Sequence, residues 1–394
     1  MHHDPRFIAK SLLSRRRIAA GLVALAASLS LQPLAAFAED DIVLGAAVPI
    51  TGTFAASGIQ YYNALKLAQD DINAAGGIKG RKLRIAFEDT AANNSTAVNA
   101  FVKLVKQHNP PFVFLPSLST QALAMEPEVL KAKIPAITGG GAMAIQERKN
   151  PWLFRARPAD NLGAGAMVFG ISELLKKSKP GLLYAQDDYG TGAANAVEAM
   201  LAKSGVTVVA KEAFNPRDND FSAQLLSLKN KGADVIVSFN YNRDGALILK
   251  QRKSLGLNIA VVAGTGMVAP STLDLVDADD LTGVYSTADT IVGEAVSPAS
   301  ADFVKRYVLA FKMRPDSFGT AYYDAAMIVA DGLRKVGPEP TKLREYLAGV
   351  RNFKGMARTY STDPATNNMA HSVVLVNFKP GSKELVAVST FPKP

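Results

Sequence analysis

Two segments of the sequence place hydroxyl side chains and bare backbone amides where they could bind an anion. Ser117 follows the apolar run Phe112 to Leu115. Ser119 and Thr120 open the helical pattern that comes next, and a helix N-terminus offers unpaired amides and a partial positive charge to a carboxylate. Gly139 to Gly141 follow the next strand pattern and let a ligand approach the main chain. An ordinary helix cap and a plain turn are the alternatives.

Residues for acid–base, metal or cofactor chemistry are scarce. After the first 38 residues only His108 and His371 remain, and neither lies near a serine motif of the nucleophile-elbow type. The chain has no cysteine, and no histidine and carboxylate cluster has metal-ligand spacing. The run GTGMVA from Gly264 spells G-x-G-x-x-A, but a proline follows at once. The sequence therefore predicts a protein that is not an enzyme and uses no cofactor or metal.

Composition predicts more than one core and no nucleic-acid surface. The chain has 394 residues, 48% hydrophobic and 20% charged, which favours two lobes over one. Its net charge is +9, of which about four positive charges fall in the first 38 residues. The remaining Lys and Arg residues form no dense cluster, so we expect no nucleic-acid partner.

The N-terminal segment has the pattern of a secretory signal peptide. Arg15 to Arg17 lead into the apolar run Ile18 to Leu31, and the small-residue site Ala36 to Ala38 follows. The apolar run is shorter than the roughly 20 residues that span a bilayer. We predict that residues 1–38 are removed after Ala38 and that the mature chain is soluble and periplasmic. General secretion and twin-arginine export both remain open.

After this segment, short β-branched runs alternate with longer helical patterns, which predicts parallel sheets of the α/β class. One cycle runs from Ile42 to Thr138 and a second from Leu162 to Ala263. Two long helices are predicted at Phe303 to Lys312 and Tyr322 to Val336. A hairpin is predicted at the end, from Ser372 to Phe378 and from Leu385 to Phe391. The prediction is two doubly wound parallel-sheet lobes.

The segment DINAAGGIKG, Asp71 to Gly80, resembles the type I periplasmic solute-binding proteins of the branched-chain amino acid (Leu/Ile/Val-binding) importer family. The resemblance continues through PITGTFAASG from Pro49, PSLSTQ from Pro116, NPWLFRARP from Asn150 and DDYGTG from Asp187. It covers essentially the whole mature chain.

The resemblance implies a Venus-flytrap fold in which three crossover segments form a hinge. It places lobe 1 at residues 39–157 and 289–353 and lobe 2 at residues 158–288 and 354–394. It also implies a monomer that captures a small carboxylate-bearing solute and delivers it to the permease subunits of an ABC importer. The runner-up function is the soluble ligand-binding component of a sensory system.

The resemblance implies that eight residues form the ligand site. They are Ser57, Ser117, Gly140, Gly141, Ala142, Tyr189, Tyr241 and Thr265. Ser117 matches the carboxylate-binding serine of the family. The rings of Tyr189 and Tyr241 match aromatic positions that close over the ligand, which suits a cleft that is dry only when shut. For each tyrosine a surface position is the alternative.

Two positions depart from the amino-acid binders. Ala142 stands where these proteins commonly have a threonine, and Thr265 stands where they have a glutamate that holds the ammonium. Because an unpaired charge in a closed cleft costs several kcal/mol, the ligand is expected to be an aromatic or aliphatic acid without an amine. The alternative is a substitute carboxylate from Asp187, Asp188 or Asp244. If the ligand is an acid without an amine, leucine should bind more weakly than an analogue without a charged amine.

Overall fold

The computed structural model describes residues 41–293, 296–356 and 358–392, so the predicted signal peptide at residues 1–38 lies outside the described residues. The described chain forms two lobes, each built on its own sheet. No helix within these ranges is both long enough and apolar enough to cross a membrane.

The first lobe contains a five-stranded, all-parallel sheet in the order β2-β1-β3-β4-β5. Its strands are β1 (Ile42–Val48), β2 (Leu83–Asp89), β3 (Val113–Phe114), β4 (Ala136–Thr138) and β5 (Leu153–Arg155). The helices between them are α1 (Ala55–Ala74), α2 (Asn94–His108), α3 (Ser119–Ala132) and α4 (Met143–Glu147). Separate apolar clusters cover the two faces, as a doubly wound sheet requires.

The second lobe contains a seven-stranded sheet in the order β14-β13-β10-β9-β8-β6-β7. Its parallel strands are β6 (Pro180–Ala185), β7 (Ala210–Phe214), β8 (Val235–Phe239), β9 (Ala260–Ala263) and β10 (Val284–Ala288). The helices are α5 (Asp160–Phe169), α6 (Asp188–Lys203), α7 (Ser222–Asn230), α8 (Asn242–Ser254) and α9 (Pro270–Leu273). All five residues of β8 are buried, as expected for a central strand covered on both faces.

The chain then returns to the first lobe before it completes the second. Helices α10 (Pro298–Phe311), α11 (Ser317–Val336) and α12 (Pro340–Ala348) pack into the core of the first sheet, and the short strands β11 (Phe353–Lys354) and β12 (Thr359–Tyr360) follow. The antiparallel strands β13 (Val373–Phe378) and β14 (Leu385–Phe391) extend the second sheet beyond β10. The parallel-sheet prediction for two lobes is confirmed.

Contacts of the segment after β11 support a third crossover later in the chain than the expected position at 353/354. Tyr360, Met369 and Ala370 are buried in the first-lobe core, and the Tyr360 hydroxyl donates to Asp324 Oδ2 (3.0 Å) in α11. These contacts hold residues 354–356 and 358–370 in the first lobe, whereas the boundary from sequence assigned them to the second. We therefore propose lobe boundaries of 41–157 plus 289–371 and 158–288 plus 372–392.

Buried carboxyl groups make the stability of the first lobe depend on pH. Burial raises the pKa of both Asp316 and Asp324 to about 7. Asp324 accepts hydrogen bonds from Met356 N (2.8 Å) and Tyr360 Oη (3.0 Å). Since the ordinary value is 3.8, the folded state retains protons that the unfolded chain releases between pH 3.8 and about 7. The stability linked to these protons is complete below about pH 4 and is lost as pH rises through 7.

We expect the free energy of unfolding to fall between pH 5 and 8, by at most about 1.4 kcal/mol per pH unit for each proton. Urea unfolding across this range measures the dependence, and Asp324→Asn is expected to flatten it. The matched control is Asp363→Asn, since hydrogen bonding by Thr366 lowers the pKa of Asp363 and keeps it charged throughout the range. An Asp324→Asn slope equal to that of the parent protein would contradict this assignment.

Candidate functional site

A small cavity of about 60 Å³ lies between the two lobes, at the carboxyl ends of strands from both sheets. Residues that line it come from the first lobe (Ser57, Tyr61, Ser117, Ser119, Gly141, Phe318), from the second lobe (Tyr189, Tyr241, Gly264, Thr265) and from the crossovers (Arg157, Asp160, Asp289). The structure therefore brings six of the eight predicted positions to one cavity.

The lobes contact each other across the cavity. The rings of Phe54 and Tyr241 lie 4.3 Å apart between centroids, and Asn242 Nδ2 donates to Ser57 Oγ (3.4 Å). Phe54 and Ser57 belong to the first lobe, while Tyr241 and Asn242 belong to the second. The two lobes are thus in direct contact beside the cavity.

Ser117 lies between the end of β3 and the start of α3, as predicted. Its Oγ accepts a hydrogen bond from Arg157 Nη1 (3.1 Å). No side chain caps α3, and both its N-cap residue Leu118 and its first residue Ser119 line the cavity. The unpaired amides of this first turn are available to an anion in the cavity.

The glycine turn that follows β4 contributes less of its main chain than expected. The amide of Gly140 donates to Thr138 Oγ1 (2.9 Å), and that of Ala142 donates to Ser119 Oγ (3.2 Å). Both amides are therefore engaged within the first lobe, and neither residue lines the cavity. Gly141 does line it.

Arg157 is the cationic group of the site. Its Nε is paired with Asp289, and its Nη1 donates to Gly139 O (2.6 Å). The guanidinium lies over the ring of Phe318, 4.0 Å from the centroid. Burial alone would lower the pKa of Arg157, but the pair with Asp289 raises it above its usual value, so the group stays charged. Nη2 donates to no described residue and is left for a ligand.

Asp160 contributes a carboxylate that lacks a partner. Its Oδ2 is buried and accepts no hydrogen bond from any residue in the described ranges. Burial raises the pKa of Asp160 to about 6, although Arg157 and Arg155 act in the opposite direction. A Cβ atom at position 141 would lie 1.9 Å from Asp160 Oδ1, so a glycine there lets the carboxylate lie against the main chain. A buried oxygen of this kind calls for a donor from a bound solute.

The second-lobe residues form the opposite wall. The rings of Tyr189 and Tyr241 lie 5.4 Å apart, and the Tyr241 hydroxyl donates to Asp187 Oδ2 (2.7 Å). Burial raises the pKa of both tyrosines well above 10, so they act as neutral donors and apolar surfaces. Thr265 Oγ1 donates to Asp289 Oδ1 (3.0 Å). A carboxylate therefore stands beside Thr265, although it belongs to another strand end.

None of the substitute carboxylates considered from the sequence lines this cavity. Asp187 caps the N-terminus of α6 through Gly190 N (2.8 Å), and Asp188 is exposed. Asp244 is buried near the edge of the lobe junction, beside Arg243. The carboxylates that do line the cavity are Asp160 and Asp289, which the sequence reasoning missed. Their signal was their position, since each directly follows a predicted crossover.

Comparisons with known proteins agree with this geometry. A family model described as periplasmic binding protein matches residues 41–383. The chain is 31% identical over 319 residues to Leu/Ile/Val-binding protein homolog 8 of Brucella abortus (strain 2308), covering 77% of this chain and 78% of that protein. It is 31% identical over 257 residues to an amino acid binding protein of Pseudomonas aeruginosa, covering 65% of this chain and 68% of that protein.

Two solved structures show the same fold. The substrate-binding protein LivJ of Streptococcus pneumoniae, in complex with isoleucine, has a TM-score of 0.80 at 24% identity and covers 88% of this chain and 99% of its own. A solute-binding protein of Rhodopseudomonas palustris BisB5, in complex with 3,4-dihydroxybenzoic acid, has a TM-score of 0.80 at 22% identity, covering 90% and 98%. The two-lobed architecture is thereby confirmed.

Proposed function

Since the chain belongs to the periplasmic binding protein family, we propose that it captures a small carboxylate-bearing solute between its lobes and presents it to the permease of an ABC importer. One observation carries this proposal. The interlobe cavity joins a helix N-terminus and a buried arginine to the carboxylate of Asp160, whose Oδ2 has no partner among the described residues. Together these groups can bind both poles of a small polar molecule once the lobes part to enlarge the space of about 60 Å³.

The carboxylate of the solute fits the first-lobe side of the cavity. Ser117 Oγ, the first amides of α3 and Arg157 Nη2 converge there, and all three donate hydrogen bonds. The α3 dipole and the guanidinium both favour negative charge. The charge of Arg157 is already balanced by Asp289, so the solute adds one negative charge that the helix terminus stabilises.

The opposite pole of the solute fits Asp160. The expectation of an acid without an amine depended on Ala142 and Thr265, but Asp160 and Asp289 place two carboxylates in the same cavity. Asp289 is engaged by Arg157 and Thr265, whereas Asp160 Oδ2 has no partner among the described residues. We therefore propose an ammonium-bearing acid, an amino acid, as the preferred solute.

An acid without an amine is the second candidate, because position 265 still lacks the glutamate of the amino-acid binders. In this case Asp160 binds in its protonated form, which its pKa of about 6 makes accessible. The two candidate solutes predict opposite changes in affinity for one substitution. Removing the charge of Asp160 weakens the binding of an amine and strengthens the binding of an amine-free acid.

The test begins with a thermal-shift screen of amino acids, aromatic acids and dicarboxylates on the parent protein. Calorimetry then compares L-leucine with 4-methylpentanoate, which has the same skeleton without the amine, on the parent and on Asp160→Asn. We expect Asp160→Asn to weaken leucine binding at least about 30-fold, because it removes one partner of a buried charge pair. Asp188→Asn, an exposed position, is the matched control and should change neither affinity.

Tighter leucine binding by Asp160→Asn would reject the amino acid and favour the second candidate. Failure of every compound in the screen to raise the melting temperature would reject solute capture of this class altogether.

We also propose that the chain is a periplasmic monomer released by cleavage after Ala38. Mass spectrometry of a periplasmic extract tests the location and the cleavage site, because the mature protein should begin at Glu39, and light scattering of the purified protein tests the monomer.

A further inference from the structure

A second cavity, of about 230 Å³, lies in the first lobe and shares no lining residue with the interlobe cavity. It lies between the end of α4, the helix α12 and the loop 364–368. Lys149, Arg155 and Arg344 contribute three cations to its wall, and no carboxylate occurs among the described residues that line it. The amide side chains of Gln146, Asn150, Asn367 and Asn368 also line it.

Arg155 gives this cavity a buried cation that no described carboxylate contacts directly. Its side chain is 2% exposed and makes no ion pair with a described carboxylate. Nη1 and Nη2 donate only to the main-chain oxygens of Gly141 (3.2 Å) and Ala142 (3.0 Å). Burial lowers the pKa of Arg155 to about 10, with Asp160 acting in the opposite direction through space. A buried guanidinium without a counter-ion is destabilising unless an anion comes near it.

Three polar atoms around the same cavity also lack partners in the described chain. They are Arg155 Nε, Asn368 Oδ1 and Gln146 Oε1, all buried, and their residues line the cavity. The amide groups can turn to present their NH2 donors instead of their oxygens. Donors and positive charge then surround a space that is large enough for several water molecules or one small ion.

The two other cations are free to reach an occupant. Lys149 is exposed and forms no ion pair in the described ranges. Arg344 has only a long contact with Glu345 (3.9 Å) and lies 5.7 Å from the ring centroid of Trp152. From these observations we propose that this cavity, which we call the back pocket, binds a small oxyanion such as phosphate, sulfate or a short carboxylate.

The location gives the back pocket a mechanical role. Arg155 N donates to Asn367 O (3.1 Å) and Met369 N donates to Arg155 O (2.9 Å), which ties the segments before the first and third crossovers together. The guanidinium of the same residue holds the turn at Gly141 beside the interlobe cavity. An anion in the back pocket stabilises the guanidinium that holds this turn, next to the main-chain bonds that join the two segments.

The experiment follows the melting temperature of the full chain in sodium phosphate, sulfate or acetate, at ionic strength held constant with sodium chloride. We expect a saturable rise with at least one of the three anions. The double variant Lys149→Ala/Arg344→Ala should weaken this response at least fivefold. The matched control Lys131→Ala/Arg84→Ala removes two exposed cations of the same lobe and should leave it unchanged.

Two results would overturn the proposal. One is the absence of saturation with all three anions, which would leave buried water as the occupant of the cavity. The other is an equal response in the parent and in Lys149→Ala/Arg344→Ala, which would place the anion elsewhere. Neither result bears on the capture of a solute between the lobes, because the back pocket shares no residue with that site.

Discussion

Replacing Arg157 with glutamine is expected to weaken solute binding by at least two orders of magnitude. The guanidinium positions Ser117 Oγ, holds Gly139 O and offers Nη2 to the carboxylate of the solute. The substitution also leaves Asp289 buried without its ion-pair partner, which typically costs 3–5 kcal/mol of stability, as a rough estimate. Calorimetry with the best solute from the thermal-shift screen measures the first effect, and urea unfolding measures the second.

A paired substitution separates binding from stability. Arg157→Gln/Asp289→Asn removes both charges, so we expect it to recover most of the lost stability but none of the lost affinity. Arg157→Lys keeps the positive charge but lacks the planar guanidinium with its fixed set of N–H donors. This variant should bind the solute more weakly than the parent protein does. Full affinity in Arg157→Gln would show that the carboxylate of the solute does not depend on this residue.

Gly58→Ala is expected to destabilise the first lobe by several kcal/mol, although alanine is the better helix former. A Cβ at position 58 would lie 1.8 Å from Pro49 O, a main-chain atom at the end of β1. The first turns of α1 would have to move away from the strand and would carry Ser57 away from the cavity. The cost is of the size seen for overpacked cores, about 1–3 kcal/mol or more.

Gly165→Ala is the matched control for Gly58→Ala. It also lies inside a helix, but a Cβ there meets no atom within 4 Å. We expect it to be neutral or to stabilise by about 0.5–1 kcal/mol, because alanine loses less backbone entropy than glycine. Urea unfolding of the two variants checks the contrast. Equal stability in both would mean that the close approach at Pro49 is not a constraint.

Most of the fold followed from local patterns in the sequence. The largely apolar run from Val235 to Phe239 predicts a strand and coincides with β8, as expected for a fully buried strand. Apolar periodicity predicts the first helix only from about Tyr61, six residues after α1 begins at Ala55, because the stretch between them consists mostly of small residues. The later third crossover that we propose has no local signature in the sequence, because the Tyr360–Asp324 contact that supports it joins distant segments.

The candidate site was only partly predictable, for a different reason. Ser117 and Gly141 could be recognised because strand ends and glycine turns have a local signature. The partners of Arg157 could not, because Asp289 lies 132 residues away and enters the cavity only through the crossover geometry. The buried Oδ2 of Asp160, which accepts no hydrogen bond from a described residue, could not be predicted either. Its burial and its lack of a described donor do not follow from the residues next to it in the sequence.

The order in which the chain visits its lobes affects its synthesis. Gln60 and Tyr307, 247 residues apart, share a buried hydrogen bond between α1 and α10, and α11 covers the same face of α1. A nascent chain that has reached only residue 290 therefore leaves the buried face around Tyr61 in water. We expect such a chain to expose this apolar face to chaperones until the last helices of the first lobe have been made.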